Sequence, residues 1–256
     1  MRKRTCGARP LRSIFRQGGM ELVVQQGDGA GLSSNPMSQG EFPMEPVFRE
    51  ATADDAGPIA LLAHVAGQGH ARISTYDLIV PGPPGPTAQR IYLIKRIVSA
   101  QTVSMLHYSH HRVALVDGRV AACAGALSSG DASMFAFITA LQETGWNEGE
   151  ISLMRSGVAI YSRVEPPVPP NSWAIENIAV LPEYRRLGLA SRLLELALGE
   201  GRRAGHRSVQ LAIHIGNKAA LALYQKHGFE VVAERRDPEF DVLFGCPGMW
   251  EMTRPL

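Results

Sequence analysis

No stretch of this chain reaches eighteen consecutive apolar residues, so the sequence offers no helix able to cross a bilayer and no membrane partner is expected. Cysteine is scarce. Cys6, Cys123 and Cys246 are odd in number and far apart, which excludes a disulfide framework and any CxxC zinc or redox pair. A reducing, cytoplasmic setting is expected, with Cys123 acting as a small buried hydrophobe. Net charge is also small, at +2. Residues 1–19 nevertheless hold Arg2, Lys3, Arg4, Arg9, Arg12 and Arg16 with no acid, so the rest of the chain is mildly acidic. A body without a basic face does not fit a nucleic-acid partner. Two phosphate motifs are missing as well: there is no GxxxxGK[ST], and no GxGxxG followed by an acid at the dinucleotide spacing.

What is present divides in two. Residues 1–46 are rich in Arg, Gly, Ser, Gln and Pro, with one brief apolar run at Leu22 to Val24. Such a segment buries too little apolar surface to offset its ordering entropy, so a disordered basic extension is expected. Its Arg-rich, acid-poor start is also compatible with an organelle transit peptide, and Met20, Met37 and Met44 are alternative starts. Residues 47–256 have the patterning of one folded domain.

In that domain VFREAT predicts a strand, followed by a helix to about Gly67 with Thr52, Asp54 and Asp55 as capping groups. PGPPGP at 81–86 is a rigid connector, and a second helix is expected over 87–103. RVALVDGRVAACAGAL reads as a hairpin turning at Asp117–Gly118. Residues 129–171 are expected to be an insertion holding a helix near 132–144 and the loop EPPVPP, perched as a lid. Then come a strand at 172–180, a helix at 188–204, a strand at 208–215, a helix at 217–227 and strands near 229–235 and 248–253.

The strand WAIENIAV stops at Pro182, and Gly188 opens an amphipathic helix. By period-two alternation Ala174, Glu176, Ile178 and Val180 share one face. The intervening turn, RRLGLA, presents free backbone N–H groups at a helix N-terminus, which favours an anion. Gly188 and Ala190 leave the backbone approachable, and Arg185 and Arg186 add charge suited to a diphosphate. A second segment, LAIHIGNKAALALYQKHGF, predicts a strand, the helix cap Asn217 and a short helix stopped by Gly228. Asn217 and Tyr224 stand two helical turns apart and project from one face.

VLPEYR, RRLGLA and NKAALALYQKHGF, in this order and spacing, resemble the GNAT N-acetyltransferase superfamily. The resemblance is strong over 172–235 and compatible over 47–128; Arg186 stands where the family frequently has Gly. It implies a three-layer α/β (α+β) fold. Its central mixed, mostly antiparallel twisted sheet would have six or seven strands flanked by helices, and a splayed strand pair would hold acetyl-CoA. By the same resemblance the amides of Arg186, Leu187, Gly188, Leu189 and Ala190 cradle the CoA pyrophosphate beside Arg185. The pantetheine arm runs along Ile178, Ala179 and Val180, the Ile178 N–H faces the developing oxyanion, Asn217 bonds the arm, and Tyr224 protonates the leaving thiolate. For the proton of the attacking amine Glu176 is the first candidate, through its strand face, with an ion-pair role for it equally open. His214 and a water relay are the others.

The implied activity is acetyl transfer from acetyl-CoA to a primary amine by direct attack in a ternary complex, without a metal. The acceptor is a small-molecule or peptide amine, and a homodimer is compatible with the resemblance. The alternative is a non-catalytic acyl-CoA-binding or sensing module. His107, His110 and His111 do not read as a metal site, because strand neighbours point to opposite faces and no acid or Cys completes the set. Acceptor selectivity is expected from residues 66–104 and 129–171, with the apolar VEPPVPP loop favouring a partly enclosed site over a bulky protein substrate.

Overall fold

Short runs of alternating apolar residues build seven strands: β1 (Val47–Glu50), β2 (His111–Val116), β3 (Arg119–Ser128), β4 (Trp173–Val180), β5 (Ser208–His214), β6 (Glu230–Arg236) and β7 (Gly248–Pro255). They form one sheet in the order β1-β2-β3-β4-β5-β7-β6. The computed structural model describes residues 45–80 and 85–256, all within one compact unit, Glu41–Leu256. The expected extension over 1–46 therefore lies almost wholly outside the described residues, as does most of the PGPPGP connector.

Eight helices cover the described part of the sheet: α1 (Ala56–Gln68), α2 (Thr75–Ile79), α3 (Ala88–Val98), α4 (Met134–Glu143), α5 (Glu148–Tyr161), α6 (Leu189–Arg203), α7 (Lys218–Lys226) and α8 (Pro238–Phe244). On one face Leu194, Ala197 and Leu198 of α6 and Tyr224 of α7 pack on Ile175, Leu211 and Ile213. Each leucine so buried contributes about 1.5–3 kcal/mol. On the other face Ile59 and Leu62 of α1, Ile94 and Ile97 of α3, Leu141 of α4 and Ile151 of α5 close over Val113, Cys123 and Ala179. Phe240 and Phe244 of α8 extend this layer over Met249 and Ala212. The three-layer mixed sheet is the expected fold class.

The β2–β3 hairpin turns at Asp117 and Gly118, with φ of 50° and 73°. α1 starts one residue after a 3-10 turn in which Asp55 accepts from the Thr52 N–H at 2.8 Å and from Arg49 at 2.6 Å. Pro58 falls inside the first turn of α1 and does not break it. α3 ends at Val98, short of the expected 103. The sequence reading did not anticipate α2, α5 or α8. α5 approaches α2 closely because Gly157 has no side chain: a Cβ there would collide with the Leu78 carbonyl.

Two departures from a regular sheet shape its centre. β4 and β5 are parallel, yet only Trp173↔Val209 and Ala174↔Gln210 are in register. Beyond Ala174 the two strands part. On its other edge β4 pairs with β3 as Gly125↔Glu176 and then Cys123↔Ala179, so β4 holds one residue more than its partner. This is a β-bulge, with Asn177 in the left-handed region at φ 52°. The bulge corrects the expected facing. Ile175 before it and Ile178 and Val180 after it pack toward α6, whereas Ala179 packs toward α1. Glu176 lies on the α1–α5 face, with Tyr76, Tyr161 and Glu165 as its electrostatic neighbours. Glu176 and the pair Ile178 and Val180 thus stand on opposite faces, because one inserted residue shifts the phase of a period-two strand.

Candidate active site

The turn before α6 is an array of unused donors. Pro182 to Tyr184 form a 3-10 turn, then Arg186 (φ 68°) and Gly188 (φ 76°) both take left-handed conformations. Among the described residues, no acceptor meets the backbone N–H of Arg186, Leu187, Gly188, Leu189, Ala190 or Ser191, whereas Arg192 N–H donates to the Gly188 carbonyl at 3.1 Å. Successive amides turned outward by alternating backbone handedness make an anion-binding concavity at the positive end of α6. Nothing lies within 4 Å of where a Gly188 Cβ would stand. Arg185 and Arg186 are exposed, and neither forms an ion pair among the described residues. A diphosphate fits this turn. Gly188→Val should therefore raise the KM for acetyl-CoA about ten-fold or more, by strain at positive φ and by side-chain bulk over the amides. An unchanged acetyl-CoA titration would exclude the turn from binding.

The turn lies at the end of β4 that diverges from β5. Between these strands opens a cavity of about 260 Å³ lined by Ile175 to Ile178, Gln210 to His214, Asn217 and Tyr224. Asn217 caps α7, its Oδ1 accepting from the Ala220 N–H at 3.2 Å, while its Nδ2 lies beside Gly69. Tyr224, buried against Phe229, has a hydroxyl without a hydrogen-bond partner among the described residues. Burial raises its pKa, so the phenol keeps its proton across neutral pH. The expected residues Ile178, Asn217 and Tyr224 come together here. Val180 and Ala179 continue β4 toward the turn, still paired with β3 on the opposite edge.

Glu176 reaches the cavity from the α1–α5 face. Burial first, and the negative charge of Glu165 second, push its carboxyl up to about 7. It forms neither an ion pair nor a side-chain hydrogen bond among the described residues, so no arginine partner accounts for it. His214 is buried beneath Phe240 and Phe244. Desolvation and nearby His70 press its pKa down to about 4, so the ring is neutral. His107, His110 and His111 lie apart from the cavity lining. His110 ends a 3-10 turn and His111 begins β2, with Nδ1 of His111 on the His107 carbonyl at 3.1 Å. Among the described residues, no group of three or more His, Cys, Asp or Glu is arranged to hold a metal.

Several lining residues were not singled out from the sequence. Tyr76 of α2 donates its hydroxyl to Asn177 Oδ1 at 3.0 Å, and the Cys123 thiol donates to the Asn177 carbonyl at 3.3 Å. Together they hold the bulge. The segment between β3 and β4 supplies Met134, Phe137, Val158, Tyr161, Glu165 and Val168 to the cavity wall. An Asn within a β-branched run was the one available signal for the bulge, since Asn tolerates the left-handed region.

The architecture is that of the acetyltransferases. A solved N-acetyltransferase from Staphylococcus aureus Mu50 superposes with a TM-score of 0.59 at 21% identity, over 81% of this chain and 100% of that one. Another acetyltransferase crystal structure gives 0.57 at 19% identity, over 82% and 98%. The chain belongs to the acetyltransferase (GNAT) family, whose model matches residues 86–229. That family uses acetyl-CoA as its cosubstrate. Among characterised relatives, the [ribosomal protein bS18]-alanine N-acetyltransferase of Escherichia coli (strain K12) is 41% identical over 61 residues, 24% of this chain and 41% of that protein. The chloroplastic GCN5-related N-acetyltransferase 6 of Arabidopsis thaliana is 38% identical over 58 residues, 23% of this chain and 20% of that protein. This chain thus spans less than half the length of either relative.

Proposed function

We propose that this protein transfers the acetyl group of acetyl-CoA to a primary amine by direct attack in a ternary complex at the β4–β5 cleft. One observation carries the reading. An open strand pair links a turn of unused amides to a carboxyl and a phenol that both lack partners among the described residues. Acetyl-CoA supplies an activated acyl thioester. The amides of residues 186–190, with Arg185 and Arg186, hold its diphosphate. The free edge of β4 at Ile178, Ala179 and Val180 and the Asn217 carboxamide hold its arm, and the Ile178 N–H faces the charge that develops on the acyl oxygen.

Glu176 takes the proton of the amine, from the opposite face of the sheet. His214 is a poor competitor for that proton, since its environment leaves it a much weaker base than Glu176. Tyr224 gives a proton to the departing sulfur. Tyr224→Phe should lower kcat by about a hundred-fold while acetyl-CoA binding is nearly unchanged. Thiol release measured over an amine panel, with acetyl-CoA affinity by calorimetry, tests this. Tight acetyl-CoA binding without turnover of any amine would favour a sensing module instead, and full activity in Tyr224→Phe would remove that residue from the mechanism.

A further inference from the structure

The cavity wall carries two carboxylates and no arginine or lysine. Neither Glu165, on the loop after α5, nor Glu176 has an ion-pair or hydrogen-bond partner among the described residues. Their mutual charge is felt, since Glu165 helps raise the proton affinity of Glu176 and is itself raised by burial. Two unpaired acids at one cavity call for a cation that the described residues do not provide.

Independent groups point the same way. Gln210, 4% exposed, donates its Nε2 to the Pro167 carbonyl at 3.0 Å, which fixes the carboxamide and leaves its buried Oε1 without a donor. His214, 5% exposed, has a buried Nε2 with no partner. Gln210 and His214 lie two and six residues along β5 from Ser208, in the same alternation as Ala212, which packs toward α8. They therefore share the sheet face of Glu176. Buried acceptors are stable only when a donor meets them. Ile79, Met105, Leu106, Phe137 and Val158 give the wall an apolar stretch. At about 260 Å³ the space is at the small end for a ligand site.

We propose that the acceptor is a small aliphatic diamine or polyamine, one nitrogen at Glu176 for acetylation and a second, cationic nitrogen held by Glu165 with Gln210 Oε1. The methylene chain between the nitrogens lies on the apolar wall. No new chemical step is involved: the N–H of the attacking amine is replaced by N–acetyl as in the transferase reading, on which this inference rests.

The test uses the full chain with cadaverine, pentylamine and an alanine-initiated peptide as probes. Cadaverine should bind in calorimetry without acetyl-CoA, at least about ten-fold more tightly than pentylamine, and should be the best acetyl acceptor of the three. Glu165→Gln should raise the cadaverine-to-pentylamine KM ratio about ten-fold, and Glu165→Asp should keep most of the preference for cadaverine. Equal affinities for the two amines, an unchanged ratio in Glu165→Gln, or preference for the peptide would overturn the proposal. Absence of thiol release from every amine, with cadaverine still bound selectively, would sink the transferase reading alone.

Discussion

Replacing Glu176 with Gln lowers kcat by about two to four orders of magnitude and abolishes a rise of rate with pH centred near 7. Glutamine keeps the size of the side chain and loses only its ability to take a proton. In the wild type the carboxyl is protonated below about 7 and idle; above it the carboxylate is available, so the rate climbs with pH. The same group affects stability in a defined window. Its ordinary value is 4.5, and its folded value is about 7. Between these, the folded protein keeps a proton that the unfolded chain has released, so the stabilisation present below 4.5 is lost as pH rises through 7. At about 1.4 kcal/mol per unit, and allowing for its reach to the cavity surface, roughly 1–2 kcal/mol is at stake. Glu176→Gln should hence unfold at higher urea concentration than wild type at pH 8 and at a similar one at pH 4. A variant as active as wild type would transfer the base role to His214 or to water.

Arg90→Met costs about 3–5 kcal/mol of stability, the largest loss expected from a single side chain here. Arg90 is fully buried and Asp77 nearly so, with Nη1 and Oδ1 at 2.9 Å. The same Asp77 accepts from the Ser74 and Gly85 N–H groups at 2.8 and 3.0 Å and meets His64 Nε2 at 3.1 Å. Arg90 donates onward to the carbonyls of Val80, at 3.1 and 3.0 Å, and Gly85, at 2.9 Å. The guanidinium therefore ties the residues on both sides of the Pro-Gly connector to α3. Methionine fills the volume but strands the carboxylate and the carbonyls without their donor. Lysine restores charge without the planar fork, so Arg90→Lys should recover only part of the loss. Equilibrium urea unfolding measures both variants, and a change below about 1 kcal/mol in Arg90→Met would show that the network adds little. The damage should also reach the cavity, because α2 carries Tyr76, which holds the Asn177 bulge.

The sequence carried the groups proposed to hold acetyl-CoA far better than those proposed to meet the acceptor, for a physical reason. The amide turn and the α7 cap are local: Gly188 and Asn217 cap their helices and Tyr224 sits in α7 at the positions the spacing implied. α6, with its leucine stripe, and the Asp117–Gly118 hairpin were legible for the same reason. α2 spans five residues, too few to show a period, and α8 follows a cap at Asp237 that resembles a loop. The facing of Glu176 depended on the register between β3 and β4, a relation between segments some fifty residues apart that alternation within β4 cannot reveal. Glu165 and Gln210 meet only through tertiary packing, and nothing local in EPPVPP or SVQLAIH distinguishes them.

The single extra residue in β4 has a consequence for how such a site can change. Because Asn177 sets the strand half a period out of step, Glu176 and the pair Ile178 and Val180 hang from one strand yet answer to separate layers of helix. In the proposed reading, the loops and helices over Glu176 can be rebuilt for another amine without touching the layer that grips the common donor. Recognition of the two reactants is thereby uncoupled, and the bulge, held by Tyr76 and Cys123, is the joint across which it is uncoupled.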